Sequence, residues 1–203
     1  MFMRMSFWRR MVFVLAMSIG LQGFTSHFSQ AEEILDEAAD SYSSSWFSKK
    51  SLMWINHLGF LPGDPSVQVS FNAIQDLGLT ITSTSLGDTA PGGGNKGIET
   101  AVQVPPDYII KGVRVCYNYV GQGSFITQIR LAQTQNPPTF AYVRLDDAKD
   151  QTAPGPICVN STETTVNPAQ GPVLLNFRLN FLDLRDEIKL LGTGLWLKKQ
   201  SLF

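Results

Sequence analysis

From Gly59 onward the chain alternates apolar and polar residues in short runs, the period-two pattern of strands that bury one face. Ile98, Thr100, Val102 and Val104 share one side against Glu99 and Gln103, and Pro105-Pro106 ends that run. Val113, Val115, Tyr117 and Tyr119 oppose Arg114, Cys116 and Asn118. A turn at Gly121-Gln122-Gly123 then leads into Phe125, Thr127, Ile129 and Leu131, opposed by Gln128 and Arg130. Behind Pro137-Pro138, Ala141, Val143 and Leu145 alternate with Phe140, Tyr142 and Arg144. The cleanest run sets Val173, Leu175, Phe177, Leu179 and Phe181 against Asn176, Arg178 and Asn180. Val67, Val69, Phe71 and then Leu77, Leu79, Ile81 make two shorter strands. The stretch from Glu187 to Lys198 alternates but changes phase near Gly192, which predicts a bulge; a helix from Leu182 to Leu191 is the competing reading there.

All 11 prolines, and every one of the 17 glycines except Gly20 and Gly23, fall from Gly59 onward and punctuate these runs. About eight strands, each with a single apolar face, are most economically buried as two packed antiparallel sheets. The expected architecture is all-β: a β-sandwich over 63–203, jelly-roll-like. An immunoglobulin-like pattern is disfavoured because Trp46, Trp54 and Trp196 do not lie between the two cysteines.

The N-terminus reads differently. Arg4, Arg9 and Arg10 precede an apolar run from Met11 to about Phe24, and Ser29-Gln30-Ala31 supplies a small-x-small triplet. That layout predicts a signal peptide over 1–31, cut after Ala31, and so a secreted or periplasmic protein. The run is too short and too interrupted, by Ser18, Gly20 and Gln22, for a membrane span of roughly 20 residues. Residues 32–62 read as a partly helical extension, with Glu32, Glu33, Asp36 and Glu37 suited to a first helical turn. The whole chain carries 16 basic and 17 acidic side chains; without its leader it keeps 13 and 17, a formal charge of −4. This balance leaves no electrostatic footprint for nucleic acid. Export with two cysteines predicts a disulfide between Cys116 and Cys158.

Val102-Gln-Val-Pro105 leading to Ile110-Lys-Gly-Val-Arg-Val-Cys116, then Ile126-Thr-Gln-Ile-Arg-Leu131 and a closing Asp186-Glu-Ile-Lys-Leu-Leu-Gly192, resembles secreted bacterial β-sandwich domains of uncharacterised function. The resemblance spans about residues 98 to 198. It implies fold and export, and it supplies no catalytic residue.

Candidate chemistry is sparse. With the leader gone, His57 is the one histidine, and no nucleophile signature flanks it. Asp146, Asp147 and Asp150 form a weak calcium candidate without the EF-hand spacing, and no other cofactor is indicated. Gly92-Gly-Gly-Asn-Lys-Gly97 lacks phosphate-loop spacing and reads as a flexible loop. Asn160-Ser-Thr162 satisfies the glycosylation triplet, which matters in a eukaryotic host. Arg114, Arg130, Arg144 and Arg178 each stand on the polar side of a predicted strand. With Tyr142, Asn176, Asn118, Gln128 and Asn180 they would make a ligand-binding face for carboxylates or acidic sugars if those strands share one sheet. The function expected is an exported, non-catalytic binding or structural module for a glycan or another surface ligand, with self-association through an edge strand as a further partner class. The competing readings are an exported carboxylate-dependent glycan hydrolase and a small outer-membrane β-barrel ending at Phe203.

Overall fold

The computed structural model describes residues 50–72, 76–121, 123–135 and 137–200. The leader at 1–31, the extension as far as residue 49, and 201–203 with the aromatic terminus lie outside the described residues. What is described is all-β and belongs to a compact unit spanning 49–203.

Two antiparallel sheets carry the fold. The first runs β3 (Val67–Asn72), β4 (Asp76–Ser83), β11 (Glu187–Lys199), β6 (Tyr108–Val120) and β9 (Ile157–Asn160), with β1 (Lys50–Ile55) added to the far half of β11. The second runs β2 (Leu61–Pro62), β5 (Gly97–Val102), β10 (Val173–Asn180), β7 (Phe125–Thr134) and β8 (Ala141–Asp147). Between them lies the alternation read from the sequence. Val173, Leu175, Phe177 and Leu179 of β10 and Ile126, Ile129 and Leu131 of β7 face Val113, Val115 and Tyr117 of β6 and Ile188, Leu190 and Leu195 of β11. Phe60 closes this core, its ring stacked on Phe177 at 5.6 Å. Both sheets are open, with β3 and β9 or β2 and β8 at their edges, and the space between them is filled by side chains. That arrangement corrects the β-barrel reading, which needs one closed sheet.

Several local expectations are met and others corrected. The register of β11 against β6 shifts between Leu190 and Gly192, where the phase change predicted a bulge, and shifts again between Trp196 and Leu197. The helix considered for 182–191 does not form; the strand begins at Glu187. Within 50–62 the partly helical extension is corrected as well. Those residues form β1, one 3-10 turn at His57–Gly59 and β2, so they are parts of both sheets, and the boundary expected at 63 cuts through the sandwich. The reason is tertiary: β1 pairs along Lys50 to Ile55 with Lys198 to Thr193, a partner more than a hundred residues away. Cys116 and Cys158 stand directly opposite each other on β6 and β9 and are disulfide-bonded.

The glycine-rich segment is a structured hairpin rather than a flexible loop. Thr89 bridges Asn95, Gly93 takes a left-handed φ of 88°, and Lys96 turns inward. Its ammonium is fully buried and donates to the carbonyls of Ser85, Leu86 and Gly87. Burial lowers its pKa, and the nearby carboxylates of Asp64 and Asp88 oppose that shift.

Candidate functional site

The four arginines expected to share a face divide between the two sheets. Arg130 and Arg178 stand on the outer side of the second sheet, where the register aligns Glu99, Asn176, Arg130 and Asp146 in one row across β5, β10, β7 and β8. Both already hold a carboxylate. Arg130 binds Asp146 through Nε at 3.2 Å and Nη2 at 3.3 Å, and Arg178 binds Asp88 at 2.5 Å. Arg114 lies on the first sheet, opposite Asn160 of β9. Arg144 is the extra residue of a bulge in β8, and with Tyr142 it lines a cleft at the edge of the second sheet.

The calcium candidate does not assemble. Asp146 and Asp147 are consecutive on a strand and therefore point to opposite sides. Asp146 meets Arg130 and Gln128, whereas buried Asp147 accepts the backbone N–H groups of Lys149 and Thr162 at 3.2 Å and 2.7 Å. Asp150 is exposed beyond the strand end. Among the described residues no three His, Cys, Asp or Glu side chains come together.

Unanticipated from the sequence is the outer face of the first sheet. Met53 and Ile55 of β1 pack on the core, so Leu52 and Trp54 point away from it; on β11 the same parity sends Gly192, Gly194 and Trp196 outward, since Thr193, Leu195 and Leu197 are buried. Trp54 is 56% exposed. Its six-membered ring overlies Gly192, where an added Cβ would stand 3.2 Å from Cζ3. The Trp196 ring leans over Gly112 of β6 in the same way, with Cδ1 3.8 Å from the Cβ position. Glycine at these positions leaves the indoles room to settle against the sheet.

Polar groups flank the Trp196 ring on the neighbouring strands β6 and β9. Asn160 Oδ1 accepts both Trp196 Nε1–H at 3.0 Å and Arg114 Nη1–H at 3.2 Å. Because Oδ1 takes both bonds, the amide is oriented and its Nδ2 donors have no partner among the described residues. The disulfide sits next to this pair and joins β9 to β6 one pleat from Asn160. At the far end, Lys50 of β1 forms an ion pair with Glu163, and its hydrogen bond holds that carboxyl below the usual carboxylate range. The result is an open surface with two indoles, a guanidinium and an amide. The sequence signal for it was the Gly-x-Gly-x-Trp order at 192–196, which alternation puts on one side.

No protein-family model and no curated protein sequence matches the chain. Among solved structures it is similar to a xylan-binding module CBM15, with a TM-score of 0.47 and 11% identity over 75% of this chain and 99% of that one. It is similar, at a TM-score of 0.47 and 15% identity, to the CBM22-1 xylan-binding domain from Paenibacillus barcinonensis Xyn10C, covering 70% of this chain and 88% of that domain. A xylan-binding domain from CBM 22 gives a TM-score of 0.40 at 9% identity over 80% and 94% of the two chains.

Proposed function

We propose that this chain is an exported, non-catalytic β-sandwich module that binds a glycan on the outer face of its first sheet. The observation that carries the reading is the placement of Trp54 and Trp196 on one exposed face, with Arg114 and Asn160 beside Trp196. The C–H groups of a sugar ring carry slight positive charge and suit the electron-rich face of an indole. The sugar hydroxyls in turn need planar donors at fixed positions, which Asn160 Nδ2 and the remaining Arg114 N–H groups offer. Gly192 lies four residues from Trp196 along β11, about 13 Å at the usual strand rise, so the ligand that uses both rings is an oligosaccharide and not one sugar.

Secretion or a periplasmic location is part of the proposal and is supported by the leader-like residues 1–31 and by the disulfide. The arginine face of the second sheet is the poorer seat for an acidic ligand, which would have to displace Asp146 from Arg130 and Asp88 from Arg178.

The test is titration of the protein with soluble xylan, glucan and mannan by calorimetry, with reducing-sugar release measured in parallel. Saturable binding without release, weakened at least tenfold by Trp54→Ala and again by Trp196→Ala, is the expected result. Binding that survives both substitutions, or sugar release that follows binding, would overturn the proposal.

A further inference from the structure

A second cleft lies on the opposite sheet, at the edge strand β8, and does not depend on the tryptophan face. The bulge that makes Arg144 an extra residue in β8 turns its side chain along the sheet edge; such bulges re-aim single side chains. The backbone there is pinned by Thr164, whose hydroxyl donates to the Arg144 carbonyl at 2.7 Å. The guanidinium is held on two sides. Nε–H donates at 3.1 Å to Oε1 of Gln133, and the cation lies 5.2 Å from the centroid of the Tyr142 ring.

Gln133 makes this hold firm. It is almost wholly buried, and its Nε2 donates to the carbonyls of Asn167 and Gly171 at 2.7 Å and 3.1 Å. Those two bonds fix which end of the amide faces Arg144, so the acceptor end must point at Nε. Arg130, Arg178 and Arg185 each pair with a carboxylate, whereas Arg144 has none among the described residues. Its Nη1 and Nη2 edge is left for a ligand, in the fork geometry that matches a carboxylate with two parallel hydrogen bonds.

The cleft has a volume of about 380 Å³, in the small-molecule range. Thr134, Gln135 and Gln170 line it beside Arg144 and Tyr142. One cation plus a hydroxyl and two amides suits a molecule with one carboxylate and several hydroxyls, and Tyr142 gives a ring wall for its apolar face. We infer that the Arg144 cleft is a binding site for a uronic acid, a single sugar carrying a carboxylate.

The experiment titrates isotope-labelled protein with glucuronate, with glucose and with acetate, following side-chain resonances of Gln133 and Arg144 by NMR. Glucuronate should shift both saturably, glucose should leave them in place, and acetate should act only at far higher concentration. Arg144→Gln should weaken glucuronate about tenfold to a hundredfold, the loss of a charged hydrogen-bond pair. Arg144→Lys, which keeps the charge but not the fork, should fall nearly as far. Equal affinity for acetate and glucuronate, an undiminished affinity in Arg144→Gln, or shifts confined to other residues would each overturn the inference. The exposed position of Arg144 lets both variants fold, and an unchanged thermal midpoint checks that they do.

Discussion

Removing the disulfide, by replacing Cys116 and Cys158 with alanine, probes both the fold and the glycan face. The two cysteines are 42 residues apart in sequence, so on the chain-entropy account their bond restricts the unfolded chain by about 4 kcal/mol. For a unit of this size that corresponds to a fall of roughly 10 °C in the unfolding midpoint. The native state has its own stake, because β9 is a four-residue edge strand whose one sheet neighbour among the described residues is β6. Without the bond, β9 keeps its ladder, the Ser161 contacts with Val113 at 2.8 Å and 3.0 Å, and the Thr162 bond to Asp147. Asn160 therefore loosens while the core stays packed, and glycan affinity should drop in a protein that is still folded. Urea unfolding followed by tryptophan fluorescence measures the first effect, and calorimetry below the transition measures the second. If β9 acts through Asn160, adding Asn160→Ala to the cysteine-free protein should cost little further affinity, because two changes in one contact are not additive. A stability loss under about 1 kcal/mol would refute the loop-closure argument, and full, independent costs of the two changes in affinity would refute the link through Asn160.

Other outcomes follow from the same contacts. Gly192→Val should push the Trp54 ring off its seat, since the first added carbon already stands 3.2 Å from Cζ3, and should weaken glycan binding with little effect on the unfolding midpoint. Phe177→Ala removes a fully buried ring that stacks on Phe60 and should cost about 3–5 kcal/mol in denaturant unfolding. Alkaline pH should destabilise the protein. Burial pushes the Tyr119 hydroxyl above its usual value of 10.0, so the unfolded chain gives up a proton there that the folded chain keeps. Its contribution is whole below pH 10 and drains above it at up to about 1.4 kcal/mol per pH unit. Tyr119→Phe should reduce that slope above pH 10, leaving the part that the likewise buried Tyr117 contributes, and an unchanged slope would contradict the assignment.

The sandwich was legible because its strands need only one fact, that a half-buried strand alternates. β10 shows this best, with every second residue from Val173 to Leu179 inside. The strands that escaped notice are those whose partners are distant. β1 reads locally as a short apolar and aromatic stretch behind Lys49-Lys50 and becomes a strand only because β11 offers it an edge. β9 is four residues long and shows no period; the disulfide was readable there while the strand was not. The site was less legible for a related reason. Arginines can be assigned to a face from their own strand, but which strands are neighbours is decided by sheet order, and Arg114 went to the other sheet. Asp146 and Asp147 illustrate the reverse case, where adjacency in sequence on a strand means separation in space. Tryptophans judged by their spacing to cysteines said nothing of binding; judged by parity with Gly192 and Gly194 they point outward.

Strand β11 is the seam of the first sheet. It pairs with β6 along nearly its whole length, with β4 through Ile188 to Leu190 and with β1 through Thr193 to Lys198. It is also the last of the domain's strands to be synthesised. While the chain emerges, β3 with β4, β6 with β9, and β1 therefore exist as separate pieces without the strand that joins them. The second sheet, whose strands all precede Asp186, can pair earlier but has no complete face to pack against. Cooperative folding must wait for residues 187–199, and a chain stalled before them would display two unjoined edges and half a core to whatever handles it. On the export route proposed above, that delay is useful, since a chain that cannot finish folding in transit stays threadable.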